Sequence, residues 1–127
     1  MRPSWGNMAD KENIIQKKSY DFALNIINLV KHFPKTTEGY VISNQLIRSG
    51  TSVGANVEEA IAAFSKEDFA YKMNIALKEA RESNYWLRII RDSQIISNSN
   101  ENQLITDSEE IIRILTSIVK TSQKSHS

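Results

Sequence analysis

Residues 45–60 read QLIRSGTSVGANVEEA, and the fold turns on whether this stretch is one helix or a glycine loop between two shorter ones. Ile42, Leu46, Ser49, Val53, Val57, Ala60 and Phe64 recur at steps of three and four, the signature of one helical face. Arg48, Ser52, Asn56 and Glu59 follow similar steps on a neighbouring face and make a polar stripe. Gly50 and Gly54 share a third position, one turn apart. A glycine inside a helix costs about 1 kcal/mol relative to alanine. Two of them, beside Ser49 and Ala55, predict a surface where another backbone comes very close. GTSVG lacks the Gly-Lys-Ser/Thr ending of a phosphate-cradling loop, and no strand precedes it. The spacing predicts a helix, locally weakened.

Working outward, the segments on either side repeat the helical period. Asp10 is a plausible N-cap for a first helix running to Phe33, with Ile15, Phe22, Ile26, Leu29 and Phe33 as its seam and Ala23, Ile27 and Val30 thickening it. Pro34 ends that helix, because the residue before a proline is pushed out of the helical region. Lys35–Gly39 links to the central helix, capped by Thr36 or Thr37 and ending near Ala63. Ser65, with Asp68 three residues on, opens a third helix extending to about Ile95. Its seam is Phe69, Met73, Ala76, Ala80, Ser83, Leu87 and Ile90, small in the middle, where it would approach the glycine pair. A second stripe follows Ile75, Glu79, Glu82, Trp86 and Ile89, and a third, more exposed one follows Lys78, Arg81, Tyr85 and Arg88. Ser97–Asn100 is a turn by composition. The last helix runs from Glu101 to Thr121 with Leu104, Ser108, Ile111, Leu115 and Ile118 inward.

Four helices joined by short links predict an all-α, antiparallel up-down-up-down four-helix bundle over residues 10–121. Residues 1–9 read as a flexible lead, in which Trp5 is an untethered aromatic, and residues 122–127 as a disordered polar tail.

QLIRSGTSVGANVEEA followed by FSKEDFAYKMNIALKEARESNYWL resembles the bacterial four-helix-bundle family named for proteins encoded within 23S rRNA intervening sequences. The likeness runs from about Tyr20 to about Ile96, and RSGTSVGAN with ALKEARESNYWL is its most specific part. The resemblance implies a bundle that assembles into a ring-like homopentamer without established enzyme activity. It also marks Arg48, Ser52, Asn56, Glu59, Glu79 and Glu82 as recurring polar positions. The ribosomal label such proteins carry reflects where their genes sit.

Composition closes off several classes of function. At 127 residues the chain supports one domain with a sizeable core, and 40% hydrophobic with 24% charged residues is ordinary for a globular protein. A net charge of +1 gives no global pull toward nucleic acid. Without cysteine there is no disulfide, thiolate metal site or cysteine nucleophile. No apolar run approaches the roughly 18 residues of a membrane span, and the start carries no secretory signal, so the expected location is cytoplasmic. A di-iron bundle needs Glu-x-x-His pairs, and neither His32 nor His126 stands three residues after a glutamate. No metal or cofactor is expected, and serine chemistry lacks a positioned histidine. Paired carboxylates in a helical bundle without a cleft are salt-bridged or solvated far more often than catalytic.

The remaining candidates concern architecture and partners. Arg48, Ser52, Asn56, Glu59, Glu79 and Glu82 form a candidate polar network that sets helix register or a subunit interface. Gly50 and Gly54 mark close helix packing. Trp86 is a candidate subunit contact, because amphipathic aromatics suit interfaces and two apolar stripes on the third helix exceed what one bundle seam needs, and it equally fits a residue that simply covers the core of its own chain. Lys72, Lys78, Arg81, Tyr85, Arg88 and Arg91 are the candidate contacts to RNA or DNA, although interleaved carboxylates also fit an ordinary solvated helix. The expected partner is another copy of the chain, in an assembly or adaptor role associated with rRNA. The rival reading is a nucleic-acid-binding accessory protein for a retroelement reverse transcriptase, or a protein partner in RNA processing.

Overall fold

The computed structural model describes residues 7–96 and 100–124. Four helices follow in order: α1 (Met8–Val30), α2 (Thr37–Ile61), α3 (Lys66–Ser93) and α4 (Glu101–Lys124). Residues 45–60 lie wholly inside α2, so the glycine stretch is helical. Each helix packs against two neighbours: α1 on α2 and α4, and α3 on α2 and α4. Cross-helix pairs run in opposite number order, Gln16 with Glu58 and Ile26 with Gly50, then Arg48 with Glu82 and Lys72 with Glu59. Neighbouring helices are therefore antiparallel, and the expected all-α bundle is the fold.

The helix ends show where local chemistry was read correctly and where it was not. Asn7 caps α1, accepting from the Asp10 backbone N–H at 2.9 Å, so the helix starts ahead of the expected Asp10 and takes in residues assigned to the lead. Trp5 lies outside the described residues, as does most of the Ser97–Asn100 turn. α1 ends at Val30 with Lys31 as C-cap, and His32 and Phe33 continue only as turns bonded three residues back. Thr36 caps α2 through Gly39, whose hydrogen-bonded amide sits where a Cβ would lie 2.2 Å from the Pro34 carbonyl oxygen. Ser65 caps α3 as expected. That helix stops at Ser93 because Gln94 turns into the left-handed region at φ 56°, before Ile95. α4 continues past Thr121 to Lys124, and Ser122, expected in a disordered tail, is buried with its hydroxyl on the Ile118 carbonyl at 2.8 Å.

The core is one continuous cluster of the four inward stripes. α2 contributes Leu46, Val53, Val57 and Ala60, while α3 contributes Met73, Ala76, Ala80, Leu87 and Ile90. α4 adds Ile114 to the residues expected of it. Two expected core residues face outward. Phe64 follows the end of α2 and is fully exposed, and Ile27 lies away from the α1 seam, 39% exposed. Serines occupy core positions without breaking the rule that buried polar groups are paired. The Ser49 and Ser83 hydroxyls meet at 3.0 Å between α2 and α3, and Ser108 accepts from the Asn84 amide at 2.9 Å between α3 and α4.

Candidate functional site

Arg48 lies on the side of α2 that faces α3, and its guanidinium reaches across the groove. One terminal nitrogen bonds Glu79 at 3.2 Å. The other bonds Glu82 and the Gln45 side-chain oxygen on its own helix, the latter at 3.1 Å. Glu79 and Glu82 lie on the α3 stripe next to its core seam, so a single arginine spans two carboxylates. The Glu82 oxygen that meets Arg48 also accepts the Trp86 indole N–H at 3.0 Å. Arg48 keeps about half of its side chain in water, and Glu79 is the least exposed of the three at 19%. Such a half-exposed cluster gives direction to the α2–α3 contact more than stability.

The other expected members of the network do not join it. Ser52 donates to the Arg48 carbonyl at 2.6 Å and Asn56 to the Ser52 carbonyl at 2.8 Å, both within α2. Their short side chains bond back to the preceding turn, the usual outlet for serine and asparagine inside helices. Glu59, eleven residues and about 16 Å further along α2, pairs with Lys72 of α3 at 2.9 Å. That hydrogen bond and charge hold the Lys72 ammonium above the ordinary lysine pKa. The predicted stripe thus resolves into two separate ties between the same helices, the Arg48 one midway along α2 and the Glu59 one near its C-terminal end.

The glycines serve α1, not α3 as expected. A Cβ on Gly50 would lie 2.2 Å from the Ile26 terminal methyl, and one on Gly54 would lie 3.4 Å from the Ser19 carbonyl oxygen. Gly50 gives room to a buried side chain, and Gly54 lets the α1 backbone come close.

Along the outer face of α3, Lys78, Arg81, Tyr85 and Arg88 are all exposed. Tyr85 packs edge-on against Trp86, with centroids 5.1 Å apart and planes at 73°. The Arg88 guanidinium stands 5.9 Å from the Tyr85 ring centre and is held by the Asn84 side-chain oxygen at 2.9 Å. Lys72 and Arg91, expected on the same surface, are engaged by Glu59 and Asp92, and Arg91 holds the Asp92 carboxyl below its ordinary pKa. Trp86 is half-buried against the core and bonded to Glu82 within its own chain.

Among the described residues, no group of three or more histidine or carboxylate side chains is placed to hold a metal ion. A groove of about 490 Å³ opens at the bundle end where α1 starts, lined by Met8, Ala60, Phe64, Phe69 and Thr121 among others, and none of the Arg48 cluster faces it. No described helix is long and apolar enough to cross a membrane. Sequence reasoning missed Gln45, which completes the Arg48 cluster three residues away on the same helix. The i, i+3 spacing that could have found it was already present.

Among curated proteins, none matches this sequence. A solved structure of a protein of unknown function from the S23 ribosomal protein family of Bacteroides thetaiotaomicron VPI-5482 is similar at 44% identity and a TM-score of 0.79, over 87% of this chain and 98% of that one. The family model for the 23S rRNA-intervening sequence protein matches residues 11–117, which takes in all of α2 and α3 and most of α1 and α4. The chain belongs to the 23S rRNA-intervening sequence protein family.

Proposed function

We propose that this chain is a non-enzymatic assembly protein of the cytoplasm. It works as a homo-oligomer, five copies in a ring being the arrangement its family resemblance implies, and offers an adaptor surface to rRNA-associated partners. The observation that carries this reading is an apolar stripe that stays exposed among the described residues. Tyr20, Leu24 and Ile27 follow one another at helical spacing on α1 and are 63%, 49% and 39% exposed. Measured around the helix from the buried Phe22, they lie about 140–200° away, on the side opposite the core. Tyr40 and Val41 at the start of α2 are also more than half exposed. An apolar row pointing away from a core that is already closed suits contact with another copy. The polar cluster fits an architectural role too, since Glu79 and Glu82 direct their oxygens at Arg48 and Trp86.

Native mass spectrometry of the full chain tests the reading. A mass five times the 14.5 kDa of one chain is expected, and Leu24→Glu should release monomers that keep their helical content. A monomer in the unaltered protein would overturn it.

A further inference from the structure

Some of the positive charges on this bundle are paired and others are not. Lys17, Lys18, Arg48, Lys72 and Arg91 each sit against a carboxylate. Among the described residues Lys78 and Arg81 make no ion pair, as is also true of scattered cations such as Lys31, Lys35 and Lys120, and Arg88 is held by the neutral Asn84 side chain. Lys78, Arg81 and Arg88 stand on one face of α3 and bracket Tyr85, at steps of three, four and three residues over a length of about 15 Å. Of the carboxylates flanking that row in sequence, Glu79 and Glu82 share the single Arg48 and Asp92 pairs with Arg91, so the equivalent of one negative charge stays uncompensated beside three cations. The face carries a local positive field that the net charge of +1 conceals.

The ring at its centre is fixed before anything binds. Tyr85 is 47% exposed, is held edge-on by Trp86, and Trp86 is itself held by Glu82. With Arg88 standing over one side of it, a flat, immobilised ring flanked by cations is the combination that takes a base on its other face and phosphates on either side. Duplexes keep their bases stacked on one another and would leave the ring unused. An acidic peptide would meet the cations but gain little from the tyrosine face.

We propose that the outer face of α3, formed by Lys78, Arg81, Tyr85 and Arg88, binds single-stranded nucleic acid, with a base on Tyr85 and phosphates on the three cations. This site does not depend on the assembly reading, because every group in it belongs to one chain.

Fluorescence anisotropy of the full-length protein with a short labelled oligouridylate, the matching oligothymidylate and a blunt duplex tests it. Both single strands should bind more tightly than the duplex. Three phosphate contacts predict a slope of about −2 in log K against log salt, at roughly −0.7 per contact on a single strand. Replacing both Lys78 and Arg81 by Gln should reduce that slope to about −0.7. Tyr85→Leu should weaken binding by about five-fold or more at unchanged slope, the loss of one stacked base. Lys31→Gln with Lys35→Gln removes the same charge elsewhere and should leave affinity within two-fold of the unaltered protein, about the scatter of such titrations. Equal losses in both double variants would reduce the effect to overall charge and overturn the proposal. So would duplex binding as tight as single-strand binding, or a Tyr85→Leu protein that changes oligomeric mass but not affinity.

Discussion

Placing Ile26 against Gly50 makes a quantitative prediction about the α1–α2 contact. A Cβ added at Gly50 would lie 2.2 Å from the Ile26 Cδ1 methyl and 3.4 and 3.5 Å from its two γ carbons. An ordinary carbon contact is about 3.5–4.0 Å, so only the terminal methyl is in the way, by about 1.3 Å. Ile26 is fully buried and cannot swing into solvent. Gly50→Ala should therefore incur an overpacking cost of about 1–3 kcal/mol, partly offset by about 1 kcal/mol of improved helix propensity, for a net loss of up to about 2 kcal/mol. Ile26→Val deletes that same methyl and should lose about 0.5–1.5 kcal/mol through the void it leaves. In the double variant the new alanine methyl occupies the vacated space, while the γ carbons remain at tolerable distances. Its stability should return to within about 1 kcal/mol of the unaltered protein, a favourable coupling of about 1–3 kcal/mol. Urea unfolding followed by far-UV circular dichroism, with all four proteins at one concentration, measures the cycle. Losses that add to within about 0.5 kcal/mol would show that the two groups do not touch.

Gly54→Ala, four residues on, adds a methyl at ordinary contact distance from Ser19 and should raise stability by about 0.5–1 kcal/mol through helix propensity alone; a loss in the same urea assay would put the α1 backbone closer than described. Arg48→Met should lower stability by about 0.5–1 kcal/mol, less in high salt, because the guanidinium is half in water; a loss above about 2 kcal/mol would mean a buried network. The Asp92 carboxyl is lowered below its ordinary 3.8, first by the Arg91 hydrogen bond, which outweighs an opposing effect of desolvation, and then by the charges of Arg91 and Arg88. Because its folded pKa lies below its unfolded one, its contribution is complete above the unfolded value and is lost as pH falls through the folded one. A carbon-detected NMR titration of Asp92 should show the depression, and Arg91→Gln should remove most of it, Arg88 supplying the rest. An Asp92 that titrates normally in the unaltered protein would refute the ion pair.

How much was legible depended on whether a feature was local. Ser65 was identified as a cap because serine followed by aspartate at the third position acts within one turn, and the Gln94 stop was missed because no glycine signals a left-handed residue there. The α3 stripes were legible in full. Ile75, Glu79, Glu82, Trp86 and Ile89 are all partly buried beside a seam whose members, Phe69 excepted, are buried. Ile27 was misplaced because an isoleucine beside the seam reads as core from its letter alone, whereas its position around the helix turns it outward. Phe64 was misplaced because the period was extended beyond the helix that justifies it.

The misdirected glycine pair is more instructive, because the sequence already contained the correction. If Arg48 reaches Glu79 and Glu82, its direction on α2 is the direction of α3. At 100° per residue, Gly50 lies 200° and Gly54 240° around the helix from Arg48, on nearly the opposite side. The two expectations, a polar stripe facing α3 and a glycine face packed on α3, exclude each other by rotation alone. Ser49, at 100°, falls between them, and it is there that α2 turns to the core and meets Ser83. Once one cross-helix pair is granted, every other position on that helix has its neighbour assigned. The same rotation turns α1, the other helix packed against α2, toward the glycines, and α1 is the helix that supplies both Ser19 and Ile26. The repeat of seven says which residues share a side; a single long side chain, reaching a partner of opposite charge, says which helix that side faces.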